Sequence, residues 1–171
     1  FANANSGTTV NVPAGNYALS LGELTVGGGA NLNTIIIGNS PATTIIRQTI
    51  AATRVLNVNP SITANVAVEL RNLTLRDGET PPGNGGGGAI YAGGPGNSLT
   101  IVNCRFINNR SVLSDEAYGG AIDFNGGGAL TSDESRVGGE RAGRRGTSGW
   151  AYRGKKKFIG RTNPSSLSVT N

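Results

Sequence analysis

Apolar and polar residues alternate in short runs along this chain. Val68, Leu70, Leu73 and Leu75 punctuate VELRNLTLRDG (68–78), and Leu99, Ile101, Cys104 and Phe106 punctuate LTIVNCRFINN (99–109). A two-residue rhythm over a few positions, broken by Gly, Asn or Pro, marks short half-buried strands. No stretch carries helical spacing over ten or more residues. The two segments superpose at an offset of 31: Val68 on Leu99, Leu70 on Ile101, Asn72 on Asn103, Leu73 on Cys104, Leu75 on Phe106. The same step carries Leu99-Thr100 to Leu130-Thr131, and Gly-Gly-Ala-Ile at 87–90 returns at 119–122. Self-similarity at this period means stacked units, none of which buries its apolar face alone. The pattern predicts an all-β chain: a right-handed parallel β-helix (solenoid) of about five coils over 1–131, then an irregular basic tail over 132–171.

Earlier rungs are looser. TTVNV (8–12), YALSL (17–21) and ELTV (23–26) are expected to make a first coil, NTIIIG (33–38) and TTIIR (43–47) a second, with RVLNV (54–58) opening the third. Gly87-Gly88 and Gly119-Gly120 are expected at a corner of the coil, where Gly tolerates the backbone best. Ala89-Ile90 and Ala121-Ile122 then re-enter the core. Cys104, equivalent to Leu73, reads as a stacked core residue rather than a reactive thiol. Asn72 and Asn103 read as an amide ladder at a turn.

Composition narrows the chemistry. The chain has no histidine, which removes the commonest general base and metal ligand. Its one cysteine makes no internal disulfide. No apolar run approaches the roughly 18 residues of a membrane-spanning helix. The chain begins at Phe1, which suggests a processed product or an excised piece. The net charge of +5 is unevenly placed. Residues 1–130 carry six arginines against seven acids, a net −1, whereas 131–171 carry nine cations against three acids, a net +6.

Gly87-Gly88-Ala89-Ile90, then Phe106-Ile107-Asn108-Asn109, then Gly119-Gly120-Ala121-Ile122 resembles the GGAI and FxxN repeats of the polymorphic outer-membrane proteins, exported bacterial β-helices of the autotransporter type. The N-terminal NSGTTVNVPAGNYALSLGELTVGGGANLNTIIIGN is similar to the opening coils of bacterial secreted proteins with a pectate-lyase-like right-handed β-helix. The resemblance covers about residues 5–131. It implies an extracellular or outer-membrane location on a bacterium and adhesion to host or environmental glycans or proteins, with the GGAI and FxxN segments implicated. The coil itself has equal need of Gly87–Ile90, Phe106, Asn109 and Gly119–Ile122, so the polar loops beside them are the better contact surface. Loops 77–86 and 111–118 are expected along one edge, with Arg110, Asp115, Glu116 and Tyr118 as contact residues.

The resemblance also implies an enzymatic rival, because lyases and hydrolases of acidic polysaccharides share the fold. Residues 1–130 lack lysine as well as histidine, which removes the hydrolase pattern. The acids left for such a site are Asp77, Glu79, Asp115 and Asp123. Asp77, Glu79, Asp115 and Glu116 are also the candidates for a Ca²⁺ site, but charged tips on solvated loops are the plainer reading. No cofactor is otherwise expected. A third reading is a structural subunit that self-associates through its open coil ends. In the tail, alternation stops after Arg136-Val137, and 138–157 are rich in Gly, Arg and Lys with Trp150 and Tyr152. That segment reads as a cationic linker, a disrupted coil, or a surface for nucleic acid, anionic glycan or membrane; elsewhere nucleic acid is not an expected partner.

Overall fold

The computed structural model describes residues 7–27, 32–60, 65–83, 86–94, 96–112, 119–126, 129–139, 150–152 and 159–160. It is a parallel β-solenoid, and no helix occurs among the described residues. Strands are numbered in chain order, and each turn of the chain lays one strand on each of three sheets. Sheet 1 holds β1 (Thr8–Val12), β4 (Leu32–Gly38), β7 (Val66–Arg71), β10 (Ser98–Val102), β13 (Leu130–Asp133) and β16 (Ile159–Gly160). Sheet 2 holds β2 (Gly15–Leu19), β5 (Thr44–Gln48), β8 (Thr74–Arg76), β11 (Arg105–Ile107) and β14 (Arg136–Gly138). Sheet 3 holds β3 (Leu24–Val26), β6 (Leu56–Val58), β9 (Ile90–Gly94), β12 (Ile122–Gly126) and β15 (Trp150–Tyr152).

The alternation read from sequence becomes ladders of like residues. Val10, Ile36, Leu70, Ile101 and Ser132 stack along sheet 1, beside Thr8, Thr34, Val68, Leu99 and Leu130. Leu24, Leu56, Ile90 and Ile122 stack along sheet 3. Val58, Ala92 and Phe124 form the neighbouring ladder, in which Ala92 pairs with Phe124; all three are fully buried. Inward residues of all three sheets join in one continuous core.

Two corners recur with fixed chemistry. Between sheets 1 and 2, Asn72, Asn103 and Glu134 have φ of 55°, 46° and 50°. The short polar side chain of Asn tolerates this left-handed region better than most. Asn103 Nδ2 donates to Asn72 Oδ1 at 2.8 Å, the expected amide ladder. At the far end of sheet 2, Asp77, Asn108 and Gly139 have φ of 60°, 55° and 73°. Cys104 is buried, and burial pushes its thiol up to about 11 despite the nearby backbone hydrogen bonds. It is a core residue in the place of Leu73.

Three sequence expectations move. RVLNV does not open the third coil: Leu56–Val58 stacks on Leu24–Val26 and closes the second, because Leu56 and Val58 continue the inward row begun by Leu24 and Val26. The second strand runs from Gly15 to Leu19 rather than over 17–21, and Leu21 is left fully exposed. There the Tyr17 ring lies over Gly15 and its hydroxyl donates to the Pro13 carbonyl. Stacking also passes the boundary placed at 131. Arg136–Gly138 pairs with β11, and the backbones of Trp150–Tyr152 and Ile159–Gly160 extend sheets 3 and 1.

Candidate functional site

The GGAI and FxxN residues are placed inside the wall of the solenoid. The Gly87, Gly88 and Ala89 N–H groups donate to the carbonyls of Gly119, Gly120 and Ala121 at 2.8–2.9 Å. Gly87–Ile90 and Gly119–Ile122 are buried, as is Phe106. A side chain at Gly88 would fall against the backbones of Arg110 and Gly120. Asn109 is fully buried and clamps the preceding coil: its Oδ1 accepts from Gly78 N at 2.9 Å, and its Nδ2 donates to Leu75 O at 3.2 Å. The motif therefore closes and staples the coil.

Beside it, where the chain leaves sheet 2 for sheet 3, successive corners leave an open groove of about 730 Å³. Its lining includes Ile50, Asp77, Glu79, Asn108, Arg110 and Gly139, drawn from successive coils. The coil register sets Glu79 opposite Arg110 as a parallel bridge. Arg110 Nη2 donates to Glu79 Oε2 at 2.7 Å, and the Ala52 N–H reaches the same oxygen at 3.0 Å. Burial pushes the Glu79 carboxyl up, but the bonds from Arg110 and Ala52 together with the Arg110 charge outweigh it. Its pKa lies below the ordinary carboxylate value. Asp77 is ion-paired with Arg76 at 2.8 Å. Three sequence-nominated residues, Asp77, Glu79 and Arg110, thus meet in one groove. Arg110, nominated from sequence as a contact residue, pairs with Glu79 one coil back. Asp115, Glu116 and Tyr118 lie outside the described residues.

Asp123 does not join them. It sits on the outer face of sheet 3, 4 % exposed, with Oδ2 accepting from Gly86 N at 2.9 Å and Oδ1 without a partner. Burial raises its pKa, opposed by the Gly86 N–H and the Arg54 charge. Arg54, also buried, lies 4.9 Å from the centre of the Tyr91 ring. Glu23 accepts from Asn57 Nδ2 at 2.8 Å on the same face. Sequence reasoning missed Arg54, Tyr91, Glu23 and Asn57. Of the acids nominated for catalysis, Asp77 and Glu79 are held by arginines in the groove, Asp123 is on the outer face of sheet 3, and Asp115 lies outside the described residues. Asp77 and Glu79 are likewise committed to arginines, and no group of three His, Cys, Asp or Glu suited to a metal occurs among the described residues.

At the first coil, β1, β2 and β3 each stand at the edge of their sheet. A mainly apolar hollow of about 530 Å³ opens there, lined by residues such as Val10, Leu19, Leu24 and Ile46. No helix among the described residues is long and apolar enough to cross a membrane. Fold and groove define a parallel β-solenoid with a polar, charge-paired furrow along one corner. Comparison with family models, with curated proteins and with solved structures finds no match to this chain.

Proposed function

We propose that this chain is an exported bacterial surface protein, an adhesin or passenger stalk, whose solenoid is a rigid rod presenting the corner groove to surface glycans. The observation that carries this reading is the groove itself: hydrogen-bonding side chains from successive coils converge there, beside a motif fully occupied with closing the coil. Each contact is weak and polar, so binding strength comes from several acting together along the rod. No cofactor and no bond cleavage belong to this mechanism.

The test is retention of glycans on a broad array by the full chain and by Arg110→Ala, with mass spectrometry of the eluted sugars. Intact glycans held by the full chain and lost from Arg110→Ala support the reading. Shortened sugars would replace it with a polysaccharide-cleaving enzyme. Retention that Arg110→Ala leaves intact and high salt abolishes would move binding to the basic segment after residue 139. Self-assembly is a second reading, favoured by the apolar hollow and by the place of β1, β2 and β3 at the ends of their sheets among the described residues. A particle mass that grows with protein concentration would support it.

A further inference from the structure

We propose that the groove takes a neutral, hydroxyl-rich saccharide chain lying along the solenoid axis, and discriminates against chains bearing carboxylates or sulfates. This rests on reading the groove as the glycan site.

Charge pairing is the first argument. Glu79 is neutralised by Arg110 at 2.7 Å and Asp77 by Arg76 at 2.8 Å. The four charges form two local pairs, which offset one another and contribute little field to draw in a polyanion. Glu79 stays ionised because Arg110 and the Ala52 N–H both hold its oxygen. A ligand carboxylate entering the groove would approach two carboxylates, and as an anion it only accepts hydrogen bonds.

Donor and acceptor balance is the second. The Arg110 side chain is about half exposed, and among the described residues its guanidinium bonds only Glu79. A guanidinium has five N–H donors, so most remain for a ligand. The exposed Asn108 amide offers a donor and an acceptor, and Asp77 and Glu79 offer acceptors. A sugar hydroxyl both donates and accepts, and is matched by such a mixed set. Ile50, 38 % exposed, gives the rim an apolar surface for the C–H face of a ring.

Direction follows from the register. Asp77, Asn108 and Gly139 occupy equivalent left-handed positions on three successive coils, and Glu79 and Arg110 face each other as a parallel bridge on two. Coils stack at ~4.8 Å, so these rows run along the axis. A linear chain lying along them meets polar groups at each step. Lying across them, it meets one coil only.

The test uses the full chain, Glu79→Gln and Asn108→Gly against neutral and uronate-containing oligosaccharides of matched length, by calorimetry, with circular dichroism confirming the fold of each variant. Wild type is expected to bind the neutral chain about tenfold or more tightly than the uronate chain, since like-charge juxtaposition is costly. That affinity should change less than about twofold between 0.05 and 0.5 M salt. Glu79→Gln leaves Arg110 as an unpaired cation and is expected to shift selectivity about tenfold toward uronate. Asn108→Gly keeps the backbone conformation, removes the amide, and is expected to weaken neutral-chain binding about threefold or more. If Glu79→Gln fails to fold, the wild-type preference and Asn108→Gly decide alone. A wild-type preference for uronate, or binding that high salt abolishes, overturns neutral selectivity while leaving the groove a glycan site. Failure of the wild type to bind either chain overturns the glycan reading itself.

Discussion

Asn109→Ala tests whether the FxxN asparagine is a staple or a contact residue. The Asn109 amide makes two bonds to the coil beneath it, accepting from Gly78 N at 2.9 Å and donating to Leu75 O at 3.2 Å, both in buried surroundings. Truncation orphans the Gly78 N–H, which costs about 1–3 kcal/mol, and loses the second bond, worth about 1 kcal/mol. The sum is about 2–4 kcal/mol, a large part of the 5–15 kcal/mol typical of a domain. With a urea m-value of ~2 kcal/mol/M, the midpoint falls by about 1–2 M. Urea unfolding followed by far-ultraviolet circular dichroism reads this directly. A changed m-value would mean the coils no longer unfold together, as repeat proteins permit. Asn109→Asp sharpens the test: it keeps an acceptor for Gly78 but sets a carboxylate against the Leu75 carbonyl. Burial would raise that carboxyl's pKa, so the variant regains stability as pH falls and protonation restores a donor. A midpoint for Asn109→Ala within about 0.25 M of wild type would refute the staple. So would wild-type stability combined with lost glycan binding.

Two further outcomes follow from the packing. Gly88→Ala puts a methyl against the backbones of Arg110 and Gly120 and should lower stability by about 1–3 kcal/mol, whereas Gly138→Ala points into open space and should stay within about 0.5 kcal/mol; thermal unfolding of the two side by side checks this. Cys104 has its thiol raised from 9.0 to about 11, so the folded state holds its proton longer than the unfolded state does. Stability from this residue is constant below pH 9 and falls as pH rises through 9 to 11, by about 3 kcal/mol in total. Urea midpoints at several alkaline pH values should show that loss in the native chain and not in Cys104→Val.

How much was legible depended on whether chain separation stayed constant. From β7 to β10 to β13 and from β8 to β11 to β14 the 31-residue step holds, so Val68 over Leu99, the Asn72–Asn103 ladder and the core place of Cys104 were readable from residue types alone. In the earlier coils it does not: Thr8 stacks on Thr34 and Thr34 on Val68 at unequal separations. On sheet 3 the loops differ in length: Asn57 stacks on Tyr91 and Tyr91 on Asp123 at unequal separations. No fixed offset finds Arg54 over Tyr91, because that contact is made by an outward side chain laid across neighbouring coils. The Glu79–Arg110 pair was within reach, since the step linking Asp77 to Asn108 also links these two. In a solenoid, a residue's neighbours lie one coil away more often than a few positions along.

This separates structural repetition from function along the chain. Positions that repeat in both conformation and chemistry are used by the coil: the inward Leu and Ile rows, Gly87-Gly88 over Gly119-Gly120, Asn72 under Asn103. Positions that repeat in conformation but not in chemistry are free to face a ligand. The row Asp77, Asn108, Gly139 keeps one backbone geometry while passing from acid to amide to no side chain. Glu79 and Arg110 occupy equivalent places with opposite charge, so the pair both ties two coils together and equips the groove with acceptor and donor side by side. An adhesive rod built on this plan gains specificity where the repeat is imperfect. That is why the resemblance in GGAI and FxxN, which marks the regular part, points to the fold more strongly than to the binding surface.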